Sequence, residues 1–292
     1  GLSRAHGLQA WLHWIAARAE PAAGAWERAA AHARRAGAEN ERIATLGWIA
    51  SAQFFGPTRV RDGIVRCEAI QRDVRDEPAT VASVQQCRGA LTAMQGDVEG
   101  ARALIAASEA AFAELGLTLS TAVSHHGALV ELLAGDPQAA ETVLRRGYRT
   151  LEEIGERMLL STTAAFLGQA LLAQERYDEA ERYTGVAGDL ALADDQITQI
   201  LWRQVRGRTL AARGEFESAQ ELARAAVAVA RRTDFLNHEA DALLDLGLVL
   251  RQAGEAGDAR AALGEALALY ERKGNVVGAG RAQAELAPGP RV

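Results

Sequence analysis

The 292-residue sequence lacks most of what would mark an enzyme, a membrane span or a secreted scaffold. Its two cysteines, Cys67 and Cys87, are too few for a disulfide framework and have no CxxC or Cys/His spacing for a metal. Both read as small buried apolar residues. Only six prolines and no long polar tract argue against disorder. Val/Ile/Thr runs punctuated by Gly and Pro are missing, which argues against a β-sandwich or an α/β sheet. No apolar run approaches the ~20 residues that span a bilayer. Basic excess is absent too: the net charge is −6, against a dedicated nucleic-acid binder. Lys273 is the single lysine, and every other basic side chain apart from histidine is arginine. There is no GxxxxGK[ST] loop and no GxGxxG after a strand. The start, Gly1-Leu2-Ser3-Arg4, is neither an initiator Met nor a signal peptide. It reads as a fragment of a longer chain, in a soluble cytoplasmic setting.

What is present is alanine, about a fifth of the chain and the strongest helix former. A glycine inside an apolar, Ala-rich segment recurs at Gly7, Gly47, Gly89, Gly127, Gly168, Gly207 and Gly247, at intervals of 38 to 42 residues. Twelve residues after five of them stands Ala101, Ala139, Ala180, Ala219 or Ala259. Between glycine and alanine lies a turn signal such as Gly96-Asp97, Gly135-Asp136-Pro137, Gly214-Glu215 or Gly254-Glu255.

This self-similarity predicts one helical hairpin per repeat. A mid-helix glycine costs about 1 kcal/mol against alanine, so its recurrence calls for a compensation. Close approach of two helices, glycine facing alanine, supplies one. Leu243, Leu246 and Leu250 keep helical spacing, as do Ala164, Leu167 and Leu171. Gly37, Gly116, Gly155 and Gly274 are placed to end second helices. The pattern predicts an all-α solenoid, a right-handed superhelix of about seven hairpins plus a cap. Its repeats fall at approximately 1–37, 40–76, 79–116, 118–155, 157–194, 196–233 and 236–274, with a capping helix over 275–287 and a flexible tail over 288–292. Repeat 2 is irregular, with Phe54-Phe55-Gly56-Pro57 lengthening its loop and Gly63 in the small-residue place; Pro21 and Gly24 disturb repeat 1. Stacked neighbours would share one continuous core as a single domain.

Leu167-Gly168, Leu171, Tyr177 and Ala180, and again Leu246-Gly247, Leu250 and Ala259, resemble the tetratricopeptide (TPR) signature. The period exceeds the usual 34 residues by about six, and this resembles the superhelical sensor domain of MalT-like regulators in the STAND class. Gly56-Pro57-Thr58 with Arg66-Cys67-Glu68, and Tyr270 to Asn275, are similar to C-terminal repeat regions of actinobacterial proteins that join a DNA-binding or cyclase module to an ATPase. The resemblance implies a non-enzymatic sensor and interaction arm for signal transduction or transcription regulation, with output chemistry elsewhere in the polypeptide. The alternatives are a stand-alone adaptor and, more remotely, an enzyme with a site inside the superhelix.

No catalytic constellation stands out. His125 and His126 are adjacent on a helix and point about 100° apart, so they cannot share one ion. His6, His13, His32 and His238 fall in other repeats, and all six read as ordinary partly buried or surface histidines. No metal, cofactor or nucleic-acid contact is expected. In TPR-like folds the first helix of each pair lines a concave groove. With the repeat glycine as eighth position, positions two, five, nine and twelve give Trp48, Gln86, Ser124, Glu131, Thr162, Gln169, Gln204, Arg208 and Arg251 as ligand-binding candidates, beside Trp11, Glu41 and Asp241. Trp202 falls on the core side. Gln169, Gln204 and Arg208 are expected to form one exposed polar patch, continued by Arg251, whose positive character suits a small anionic effector or an acidic peptide. The chaperone-type carboxylate clamp cannot be built with one lysine at the far end.

Overall fold

The repeating glycine and alanine segments form helices throughout, and the computed structural model describes residues 1–287. Among these residues there are sixteen helical segments and no strand. They are α1 (Leu2–Ile15), α2 (Ala19–Arg35), α3 (Glu39–Phe55), α4 (Val60–Asp73), α5 (Pro78–Met94), α6 (Val98–Glu114), α7 (Thr118–Ala122), α8 (His125–Ala134), α9 (Pro137–Ile154), α10 (Arg157–Leu172), α11 (Tyr177–Leu190), α12 (Gln196–Ala212), α13 (Phe216–Ala230), α14 (Leu236–Gln252), α15 (Ala256–Lys273) and α16 (Val276–Leu286). The expected tail over 288–292 lies outside the described residues.

Successive helices pair as first and second members of a hairpin, from α1 with α2 to α14 with α15, and α16 covers the last pair. First helices also pack on the first helix of the next pair, α3 on α5, α5 on α8, α10 on α12 and α12 on α14. They form the inner layer and the second helices the outer one. No described helix is long and apolar enough to cross a membrane.

Five of the seven repeat glycines sit at tight helix crossings. A methyl group on Gly247 would lie 2.7 Å from Leu263 Cγ and 3.2 Å from the Ala259 carbonyl, and one on Gly207 would lie 3.1 Å from the Ala219 carbonyl. Gly89 meets Ile105 at 3.1 Å, Gly127 meets it at 3.2 Å, and Gly168 meets Thr184 at 3.0 Å. The glycine-facing-alanine geometry therefore holds at Gly89, Gly168, Gly207 and Gly247, while Gly127 is crowded by Ile105 of the preceding hairpin and not by Ala139. It fails at Gly7, which faces open space, and at Gly47, which has only an ordinary contact at 3.8 Å. Gly63 does take the small-residue place in repeat 2, with Leu91 at 3.1 Å. Gly37, Gly116, Gly155 and Gly274 all have positive φ and end second helices.

Repeat 4 departs from the expected pattern. Its first helix is broken at Val123-Ser124 into α7 and α8. The carbonyl of Ala122 beside the break nests where a side chain at residue 147 would stand, and Gly147 leaves it room.

The superhelix also closes on itself. Asp234, in the loop before α14, accepts from Ala19 N at 2.7 Å and Glu20 N at 2.9 Å, capping the start of α2 from the far end of the chain. Lys273 Nζ donates to the Gln53 and Gly56 carbonyls at 2.9 and 2.6 Å, at the C-terminal end of α3 where carbonyls lack intrahelical partners. Gln95 Nε2 donates to Gly274 O at 2.6 Å, and Phe235 joins the core of the first three repeats beside Trp14 and Phe55. The accessible surface is 13424 Å². A compact monomer of this mass would expose about 12,000 Å², so the solenoid is curled rather than extended.

Candidate binding cavity

Closure shapes a partly open cavity of about 550 Å³ between the inner helices. That lies within the range of about 300–1,000 Å³ usual for small-molecule sites. Its walls come from the inner layer, α3, α5, α8, α10, α12 and α14, with α16 at one side. One part is apolar: Phe54, Phe55, Met94, Leu129, Leu132, Leu133, Phe166 and Leu172. Polar lining comes from α10, α12 and α14, which contribute Thr162, Gln169, Arg208, Asp241 and Asp245.

The charged groups are unevenly matched. Arg208 Nη1 donates to Asp245 Oδ1 at 2.8 Å, and Gln204 Nε2 donates to Asp245 Oδ2 at 3.1 Å. The Tyr270 hydroxyl donates to Asp241 Oδ1. Burial pushes the Asp241 carboxyl up to about 6, with the Tyr270 hydrogen bond working against the shift and nearby Asp245 adding to it. Burial also raises the Asp245 carboxyl, opposed by Arg208 and Gln204.

Three histidines line the same space. His125 stacks on Phe166 with ring centres 5.0 Å apart and shares a hydrogen bond of 2.7 Å with Thr163. His126 packs on Phe54 at 4.9 Å, and His238 stacks on Phe55 at 5.7 Å. Burial lowers their pKa values to about 3, 4 and 4 respectively, so all three rings are neutral at pH 7. His126 Nδ1, His238 Nδ1 and Arg208 Nε are buried without a hydrogen-bond partner among the described residues. Among those residues no group of His, Cys, Asp and Glu is arranged to hold a metal ion.

The structure divides the sequence candidates. Thr162, Gln169, Arg208 and Asp241 reach the cavity. Gln204 is 1% exposed and sits behind the wall, bound to Asp245. Ser124 is buried at the helix break, where its hydroxyl donates to Val143 O. Trp48 lies at the N-terminal end among Trp11, Trp14 and Trp26. Glu131 pairs with Arg102 at 2.6 Å, Glu41 with Arg4 at 2.8 Å and Arg251 with Glu285 at 2.5 Å, all outside the cavity lining. Gln86 is half-buried and also outside it. The expected positive patch therefore does not form: Arg208 is neutralised by Asp245, Gln204 is covered, and Arg251 is tied to α16. Trp202 is half-buried and packs against the core cluster of Ala164, Ala165, Ala187 and Leu201, with the Arg203 guanidinium 4.2 Å over its ring.

The histidines and phenylalanines of the cavity escape the groove rule. Phe54, Phe55 and Met94 stand beyond position twelve of their helices and reach the axis only because the superhelix closes. His125, His126 and Leu129 face inward from α8, the segment beyond the break. Their only sequence signal was an aromatic or histidine near a helix end.

A tetratricopeptide repeat family model matches residues 198–272. Together with the fold, this makes the chain a TPR-like helical repeat. No curated protein matches the sequence. Among solved structures, the chain is similar to NprR in complex with its cognate peptide NprX, with a TM-score of 0.59 at 12% identity over 85% of this chain and 70% of that one. It is also similar to the apo quorum sensor NprR from B. thuringiensis, with a TM-score of 0.50 at 12% identity over 85% and 74% of the two chains. A tetratricopeptide repeat protein from Parabacteroides merdae gives a TM-score of 0.50 at 13% identity, over 96% and 98%.

Proposed function

We propose that residues 1–287 act as one non-enzymatic sensor and interaction arm of a larger cytoplasmic signalling or transcriptional regulator, of the MalT/STAND kind, and that its ligand is held in the central cavity. The partly open cavity carries this reading: it joins aromatic and aliphatic side chains to a few convergent polar groups, the usual composition of a ligand site. The shared fold with NprR, a quorum sensor whose structure includes its cognate peptide, supports a short peptide or a molecule of similar size as ligand. Leu2, Leu8, Leu12 and Ile15 of α1 are each more than half exposed, and such a face suits packing against another part of an assembly.

A cavity-filling variant tests the reading. Leu129→Trp with Leu244→Trp puts indole rings into the cavity from α8 and α14. A thermal-shift screen of short apolar peptides and small amphiphiles should give compounds that raise Tm in the native chain and not in the filled one. Hits that persist in the filled variant, or a screen with no hits at all, would refute a ligand in the cavity.

A further inference from the structure

Asp241 differs from every other charged group in the cavity wall. Arg208 and Asp245 satisfy each other, and Gln204 covers the second oxygen of Asp245. Arg281, at the rim, donates to the carbonyls of Leu132 and Leu133, at the C-terminal end of α8. Asp241 lines the cavity with no ion-pair partner among the described residues. Tyr270 binds its Oδ1, and no described group donates to its Oδ2. A carboxylate in an apolar chamber keeps its charge at the expense of solvation and gains most from an incoming cation. The Phe54 and Phe55 rings, against which the neutral His126 and His238 rings pack, put π faces into the same cavity, which a cation also favours over an anion.

We infer that the cavity selects a ligand with an organic ammonium group on an apolar body, the ammonium on Asp241 Oδ2 and the body against Phe54, Phe55 and Phe166. This inference rests on the cavity being the ligand site and adds the chemical class of the ligand. The ammonium can come from a free amine or from the N-terminus of a short apolar peptide. Both present an N–H donor of positive charge beside a hydrophobic group. The arrangement also sets the pH response. Asp241 is faced by Tyr270 from α15, Arg208 from α12, Arg281 from α16, and His238 and Asp245 on its own helix. The His238 ring stays neutral, and the Asp241 carboxyl is the group raised to about 6. Affinity for an amine should therefore fall as pH drops through about 6 and Asp241 takes up a proton.

The test compares 2-phenylethylamine, 2-phenylethanol and 3-phenylpropionate on the same chain by calorimetry, together with Leu-Leu-Phe amide and its N-acetylated form. The amine should bind at least tenfold more tightly than the alcohol and the acid, and Asp241→Asn should abolish that preference while the alcohol still binds. Circular dichroism of the variant checks that it is folded, and the comparison on the native chain stands without it. The free peptide outbinding its acetylated form, with the small amine weak, assigns the ammonium to a peptide N-terminus; the reverse assigns it to a free amine. Equal or tighter binding of the alcohol or the acid, displaced by the two tryptophans, would overturn ammonium selection and leave the cavity as the site. No binding by any of the five would overturn both.

Discussion

At single residues the fold depends on where a methyl group cannot go. Gly247 and Gly47 hold the same position in their repeats, yet Leu263 and the Ala259 carbonyl crowd only Gly247. Gly247→Leu should destabilise by about 3 kcal/mol, because the branched side chain forces α14 from α15. Gly47→Ala should be neutral or stabilise by up to about 1 kcal/mol, since it gains helix propensity and meets only Thr80. Urea unfolding of both variants checks the contrast, and equal losses would show that crowding is not what distinguishes the two positions. The glycine period and the Gly-to-Ala interval were legible from spacing alone, because hairpin length fixes both. Which glycines are crowded was not, since that depends on how far each pair of helices has closed.

Whole helices decide which side chains face inward. The inner layer was readable as first helices from the repeat, and of the positions so counted Thr162, Gln169, Arg208 and Asp241 line the cavity in the later repeats. The break between α7 and α8 was not, and with it went Ser124, Glu131 and the inward histidines. A strict position count assumes straight, equivalent helices, and one broken helix resets it. The buried histidines carry a pH consequence. Their folded pKa values, about 3 to 4, lie below the ordinary value of 6.5, so their stabilising contribution is complete above 6.5 and is lost as pH falls toward 4. The Asp241 carboxyl, raised to about 6, works in the opposite sense as pH falls below that value, and the raised Asp245 carboxyl acts in the same direction; both offset part of that loss. His126→Phe combined with His238→Phe should move the acid unfolding midpoint, followed by circular dichroism at 222 nm, to lower pH. An unchanged midpoint would mean that these rings are already hydrated in the folded chain.

The cavity belongs to no single repeat and exists because the chain returns to its start. The only lysine is part of that return. Lys273 is fully buried, and burial lowers its amine from 10.5 to about 7, with Asp234 and Cys67 pulling weakly the other way. A neutral amine keeps two N–H groups, matching the two carbonyls of Gln53 and Gly56. The unfolded chain holds the extra proton between about 7 and 10.5, so this group makes folding more favourable as pH rises through that window. Urea midpoints should rise for the native chain relative to Lys273→Met between pH 7 and pH 9.5; a constant difference would place the ammonium in water. Nothing in the repeat period announces such contacts, because they join residues more than 200 positions apart. Closure is also the premise of every binding argument made for the chamber. Small-angle X-ray scattering measures it directly. A closed ring of 292 residues should give a radius of gyration near the compact-domain value of about 19 Å. A value well above that, with an elongated distance distribution, would mean an open superhelix in solution and no cavity between its ends.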